Sequence, residues 1–319
     1  MLTVAALSPT ELAERLAGDG LHLRTAGFSV CLRSGIASVA HGIGLLYADY
    51  PLLAADDFAD FRLSLERPAG ARRWFKPQVR LLYDGNSLFQ PLPLAQAFPM
   101  FEWGLNWCVS SRANEFLIVH AAVVEKHGCA AILPAPPGSG KSTLCAALVG
   151  RGGWRLLSDE LTLIRLGDGR VVPLPRPVSL KNGSIDVIRD YLGDAVLSPA
   201  VRDTVKGTVA HLKAPSDSVA RAAETARPAW LLFPQYRAGA ALRLDALSRA
   251  QAFMRVAGNS FNYSLLGRRG FDALGRVVDG SAGYTLEYGQ LDDALALFER
   301  LAEQQLAEQL AARPAERAA

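Results

Sequence analysis

The sequence predicts an α/β fold in two parts, and three observations carry the prediction. The apolar run CAAILPA, ending at Ala135, passes through a Pro-Pro-Gly-Ser-Gly loop into a helical stretch from Ser142 to Val149, where Leu144, Ala147 and Leu148 share a face. Beyond it, strand-like runs (WRLLSDE, LTLIRL, RVVPLP, AWLLFPQY, GYTLEY) are interspersed with helical ones. The first hundred residues instead show short period-two runs with no such loop. The expected boundaries are a small mixed α+β module with its connecting helix over 1–112, an α/β domain with a C-terminal helix over 113–311, and a frayed tail over 312–319.

Each element has a local reason. Ser8-Pro9-Thr10-Glu11 reads as a capping box, with proline at the first helical position. LHLRTAGFSVCLRS reads as two strands about a glycine turn, and strands are also expected over 57–66 and 78–84. The apolar stretch 94–113 predicts a helix that Pro99 should kink or restart. EFLIVHAAVVEK and CAAILPA form two strands about His127-Gly128, a hairpin turn. Gly150, Gly152 and Gly153 stop the helix after the loop. Gly167-Asp168-Gly169 turns LTLIRL into RVVPLP, whereas 181–225 reads as polar and turn-rich. SRAQAFMRVA predicts a helix, GYTLEY a last strand, and 291–311 a final helix.

Composition narrows the function. The 319 residues are half apolar, enough for a packed core, and the apolar runs are broken well short of the roughly 18 residues of a membrane span. The N-terminus lacks the pattern of a secretory leader, so the expected location is cytoplasmic. The four cysteines have neither metal-ligand spacing nor the density of a disulfide scaffold and read as reduced, buried thiols. A net charge of +3 without a basic run predicts neither a nucleic-acid nor a membrane partner.

The loop itself carries the chemistry. Gly138-Ser139-Gly140-Lys141-Ser142-Thr143 completes the phosphate-loop pattern between strand and helix, with Ala135 where the pattern starts with glycine. The two glycines permit positive backbone torsions, so that successive N–H groups form an anion nest. Lys141 brings charge to terminal phosphates, Ser142 a hydroxyl for Mg²⁺, and the helix N-terminus its dipole. Pro136 and Pro137 withdraw two N–H donors from the incoming arm. Nucleotide binding follows from motif plus context, with ATP and Mg²⁺ as cofactors. Asp159 and Glu160 end the very next strand, and because side chains alternate across a strand they face the same way only if the strand ends between them. One is a candidate metal ligand and the other a candidate base.

HAAVVEKHGCAAILPAPPGSGKSTL followed by GGWRLLSDELTLI resembles the catalytic domain of the HPr kinase/phosphorylase family, more closely its HPr-kinase-related kinase A group. The resemblance covers roughly 113–215 and extends weakly towards 290. It implies a P-loop core of the HPr kinase/phosphoenolpyruvate carboxykinase type. His120 then matches a histidine at the transfer site, Asp159 the base and Glu160 the metal ligand, with the last two roles exchangeable. Read alone, His120 in an apolar strand is a buried histidine as readily as a catalyst. The family's arginine followed by Gly-x-Gly is replaced by Pro175-Arg176-Pro177-Val178-Ser179-Leu180-Lys181. Arg176, and less so Lys181, remain candidates to stabilise charge on the transferring phosphate, or else solvated loop cations. The N-terminal module matches nothing in the bifunctional enzyme, so HPr is not the expected acceptor and the reverse reaction is not carried over.

The expected function is therefore phosphate transfer from ATP to a hydroxyl, a serine in an unidentified protein or peptide partner, with homo-oligomer formation allowed by the resemblance. The alternatives are a nucleotide-dependent switch or assembly protein and a small-molecule kinase. The chain has neither Asn-Lys-x-Asp nor Leu-Ser-Gly-Gly-Gln, which sets aside standard GTPases and transporter ATPases. Lys206-Gly207-Thr208, His211 and the Asn259–Tyr263 segment read as surface or turn residues, and Phe101, Trp103 and Trp107 as core or interface contacts.

Overall fold

The computed structural model describes residues 2–70 and 75–312, so of the expected frayed tail, 312–319, Ala312 ends the last helix and the rest lies outside the described residues. The chain is mixed α/β, with several sheets, and divides into two units. Helix α1 (Pro9–Ala17) starts with the expected box: Ser8 Oγ accepts from Glu11 N at 3.3 Å, and Glu11 Oε2 accepts from Ser8 N at 2.8 Å. Strands β1 (Leu21–Thr25) and β2 (Phe28–Ser34) form a hairpin, followed by α2 (Ala37–Leu46), β3 (Phe61–Glu66), β4 (Gln78–Tyr83), β5 (Asn86–Ser87), β6 (Leu92–Pro93) and α3 (Ala97–Arg112). The sheet order is β1-β2-β3-β4-β5, with β6 also on β4, and α3 packs on β3 and β4. Pro99 does not break α3. It sits in the first turn, where N–H groups lack intrahelical partners, so the helix starts just ahead of it.

The second unit opens with β7 (Phe116–Val119), β8 (Ala121–Lys126) and β9 (Cys129–Pro134), with His127 and Gly128 at φ 54° and 77° in the turn between the last two. Helix α4 (Lys141–Gly150), β10 (Arg155–Ser158), β11 (Thr162–Arg165) and β12 (Val171–Val172) follow. The chain then returns to the first unit for β13 (Val178–Lys181), α5 (Gly183–Leu192), β14 (Val201–Thr204), β15 (Gly207–Leu212) and α6 (Ser216–Ala220). This corrects the expected single boundary near residue 112: Pro173–Glu224 belongs with the residues up to Glu115. The physical reason is buried contact. Tyr50 Oη donates to the Pro175 carbonyl at 2.6 Å, Arg176 meets Glu102, and the His211 ring stacks edge-on to Phe98 with centroids 5.5 Å apart.

The last stretch, β16 (Arg227–Tyr236), β17 (Arg243–Ala246), α7 (Arg249–Gly258), α8 (Tyr263–Leu266), α9 (Arg268–Asp279), β18 (Ala282–Tyr288) and α10 (Leu291–Ala312), completes the second unit. Its main sheet has the order β10-β8-β9-β16-β18-β17, in which β9, β16 and β18 run parallel. A second, antiparallel sheet is β12-β11-β7. Val123, Ile132 and Leu231 pack with Val256, Ala273 and Val277 of α7 and α9 in one core. Trp154 packs edge-on to both Trp230 and Phe298 in a further aromatic cluster. Fully burying one such aliphatic side chain contributes about 1.5–3 kcal/mol, so this core fixes the carboxyl ends of the parallel strands where the phosphate loop leaves β9. Among the described residues no helix is long and apolar enough to cross a membrane. All four cysteines are buried and none forms a disulfide.

Candidate active site

The phosphate loop is shaped by two glycines and held from behind by two tyrosines. Gly138 and Gly140 have φ of 86° and 87°, the left-handed region that glycine enters without a side-chain penalty. Tyr288 Oη donates to the Gly140 carbonyl at 3.1 Å, and Tyr236 N donates to the Ser139 carbonyl at 2.9 Å, so the ends of β18 and β16 clamp the loop. A Cβ on Gly140 would lie 2.5 Å from Tyr288 Oη and 2.8 Å from the Tyr236 Cβ. Helix α4 then begins at Lys141 with no side-chain cap, leaving its N-terminal dipole and amides for an anion. Ser139 Oγ is buried and lacks a hydrogen-bond partner among the described residues. An orphaned hydroxyl inside the loop fits an oxyanion there. On the incoming arm, Ser139 N reaches the Pro136 carbonyl at 3.4 Å, closing the turn that the prolines enter.

The first two residues of α4 meet the groups that the sequence singled out. Lys141, only 6% exposed, has its Nζ 3.2 Å from His120 Nε2. With Lys141 as an ammonium donor, Nε2 is the acceptor and a neutral ring carries its proton on Nδ1. Ser142 Oγ donates to Asp159 Oδ1 at 3.1 Å. Asp159 and Glu160 both follow the end of β10, which resolves the alternation argument. A bulge places Leu157 outside the register between Leu156↔Val124 and Ser158↔Val123, and Ser158 Oγ donates to the Leu161 carbonyl. Glu160 then takes φ 73°, a left-handed turn directly after the buried Asp159. Below, burial pushes the Cys145 thiol well above its ordinary value; nearby Asp159 adds to that and Lys141 opposes it. Thr143 lies in the same first turn of α4.

His120 is positioned by residues to which the sequence gave no chemistry. It stands between β7 and β8, where the chain leaves one sheet for the other, and its N donates to the Asn259 carbonyl at 2.7 Å. Asn262 Oδ1 accepts from Ile118 N at 2.9 Å while its Nδ2 donates to the Phe116 carbonyl at 2.9 Å. The Phe261 ring lies 5.9 Å from the His120 ring. Two asparagines flanking an aromatic just past a helix end were the available signal, since amide side chains pair backbone groups as a strand does.

Arg176 is engaged in the first unit. It is 5% exposed, its Nη2 meets Glu102 Oε2 at 2.5 Å, and its Nη1 donates to Asn106 Oδ1 at 2.7 Å. Lys181 ends β13, Lys206 lies over the Trp103 ring, and His211 is buried in β15, all in the first unit. Among the described residues there is no group of three or more His, Cys, Asp or Glu able to hold a metal ion. The pair Ser142 and Asp159 nevertheless fits Mg²⁺ carried by a nucleotide, which takes one or two protein oxygens besides phosphate and water. No protein-family model matches the chain, and no curated protein matches it in sequence.

Proposed function

We propose that the second unit is an ATP- and Mg²⁺-dependent phosphotransferase of the HPr-kinase-like type, moving the γ-phosphate to a hydroxyl, a serine of a protein or peptide. One observation carries this reading: a single helical start presents Lys141 to His120 and Ser142 to Asp159, so that cation, metal-binding hydroxyl and carboxylate converge beside an anion nest. A nucleotide switch needs the lysine and the serine; a buried carboxylate followed directly by a second acid at a chain turn suits transfer better.

The hydrogen bond between Ser142 and Asp159 supports exchanging the two acid roles. Asp159 and Ser142 would hold the metal ion, and Glu160 would take the proton of the acceptor hydroxyl as its oxygen bonds to the γ-phosphorus and the bond from that phosphorus to the β–γ bridging oxygen breaks, with ADP as the leaving group. Lys141 balances the charge of the phosphoryl oxygens, with His120 fixing its ammonium. Bound Mg·ATP supplies the phosphoryl group and the metal's charge. Arg176, held by Glu102, is left out of this constellation.

The test is transfer of labelled γ-phosphate from ATP into proteins of a native lysate. Lys141→Ala is expected to abolish labelling, and Glu160→Gln to lower it by about 10²-fold or more with ATP affinity intact. Asp159→Asn should raise the Mg²⁺ concentration needed. A wild type that binds ATP through Lys141 yet labels neither protein nor metabolite overturns transfer and leaves the switch.

A further inference from the structure

Beside the phosphate loop the second unit contains a cleft of about 640 Å³, walled by the incoming arm from Pro134 to Ser139, the ends of β16 and β18, β17 and the end of α7. Its charged lining is unevenly satisfied. Arg243 is paired with Asp245 at 2.8 Å, and Glu287 meets Arg237 at 3.6 Å. Arg255 has no carboxylate partner among the described residues; its guanidinium lies 5.3 Å from the centroid of the Phe233 ring, which also lines the cleft. An aromatic face holds a guanidinium in place without neutralising it. Arg237 lies outside the lining, and among the charged residues that line the cleft Arg255 is the one with no ion-pair partner among the described residues. A single carboxylate matches that one unpaired guanidinium, whereas a polyphosphate would bring further negative charges up to Asp245 and Glu287.

We infer that this cleft is the acceptor subsite and that Arg255 reads a carboxylate carried near the acceptor hydroxyl, either on an acidic side chain of a serine peptide or on a small hydroxy acid. The inference rests on the phosphotransferase reading for the word acceptor, although the binding site it names does not require transfer. Occupant and phosphate loop share a wall, because Gly138 and Ser139 line both. Arg255 follows the capping box of α7 and precedes Asn259, whose carbonyl holds His120, so one helix would place the carboxylate reader and the support of the transfer site. A planar guanidinium gives a bidentate grip on a carboxylate that a lysine would not.

The experiment measures binding to the full chain saturated with Mg²⁺ and a non-hydrolysable ATP analogue. The probes are a fluorescent serine peptide flanked by Asp and Glu, its counterpart with lysines at those positions, and glycerate as competitor. The acidic peptide is expected to bind about ten-fold or more tighter than its lysine counterpart, and Arg255→Glu to reverse that order. Analogue affinity should stay within about two-fold. Arg255 is exposed, so the variant is expected to melt as wild type does, and Arg255→Ala should abolish the preference without inverting it. Displacement of the peptide by glycerate, or binding of glycerate where neither peptide binds, identifies the small hydroxy acid as the source of the carboxylate. Equal binding of both peptides, or no binding by peptides or glycerate, overturns the inference. So does an Arg255→Glu variant that loses the analogue by the same factor, since the cation then belongs to the nucleotide. When ATP replaces the analogue, an acidic peptide that binds but stays unphosphorylated sinks the transfer reading and leaves the subsite standing.

Discussion

Arg176 reads as a candidate catalytic cation in the sequence and is held in a buried ion pair in the structure. Its pair with Glu102 is nearly dry, and Tyr47 Oη donates to the other Glu102 oxygen at 2.6 Å, so the carboxylate is satisfied only as a unit. Removing one member strands a buried charge, and Arg176→Met is expected to cost about 3–5 kcal/mol in urea unfolding. The double variant Arg176→Met/Glu102→Met should regain most of that stability and keep phosphate transfer; a stable but inactive double variant would instead place the guanidinium in the chemistry. The buried thiols make a second prediction. Burial pushes Cys108 up to about 12 and raises Cys145 well above the ordinary range. Below an unfolded value of about 8.5 both states keep these protons; above it the unfolded chain releases them first, so stability falls as pH rises. The urea midpoint should drop more steeply between about pH 8.5 and 10 in wild type than in Cys108→Ala/Cys145→Ala. Alkylation at either thiol should require unfolding.

At the scale of elements, the phosphate loop is constrained more tightly at one glycine than at the other. Both need positive φ, which for any other residue costs about 1–2 kcal/mol. Gly138 has nothing within 4 Å of an added Cβ, whereas Gly140 would strike Tyr288 Oη and the Tyr236 Cβ. Calorimetry with Mg²⁺ and an ATP analogue should therefore show a modest loss for Gly138→Ala and a much larger one for Gly140→Ala. Adding Tyr288→Phe to Gly140→Ala should recover only part of the loss, because the Tyr236 contact remains. The contrast also marks what the sequence could convey. The strand, loop, helix and early acids were legible because each is local: Gly, Pro and Lys at fixed offsets leave few backbone options. The clamp by Tyr236 and Tyr288 was not, since it comes from β16 and β18 far along the chain. Helix α2 was hidden for a related reason. Gly42 lowers its propensity, yet Phe98 packs so close that a Cβ there would lie 2.2 Å from the ring, so tertiary packing favours the very residue that weakens the local signal.

For the whole molecule, the division into two units follows chain crossings that no local pattern announces. Residues 181–225 read as polar and turn-rich, as the largely exposed β14 is, whereas the membership of Pro173–Glu224 was set by buried contacts to Tyr50, Phe98 and Glu102. Its two ends, however, are held together in the second unit: Val171 N donates to the Ala226 carbonyl at 2.9 Å and Ala226 N to the Val171 carbonyl at 3.0 Å. That antiparallel bridge is the geometry a short turn would close. A chain in which a brief glycine-serine link replaces 173–224, starting at Phe116, is therefore expected to fold and to bind ATP with the Lys141 dependence of the full protein. Residues 1–112 alone lack the sheet of β13-β15-β14 and leave Glu102 without Arg176, so they should unfold without a cooperative transition. Circular dichroism melts and ATP titrations of the two shortened chains check both halves. Cooperative melting of 1–112 would restore the simpler boundary, whereas a folded second unit that no longer binds ATP would mean that the inserted segment takes part in the nucleotide site.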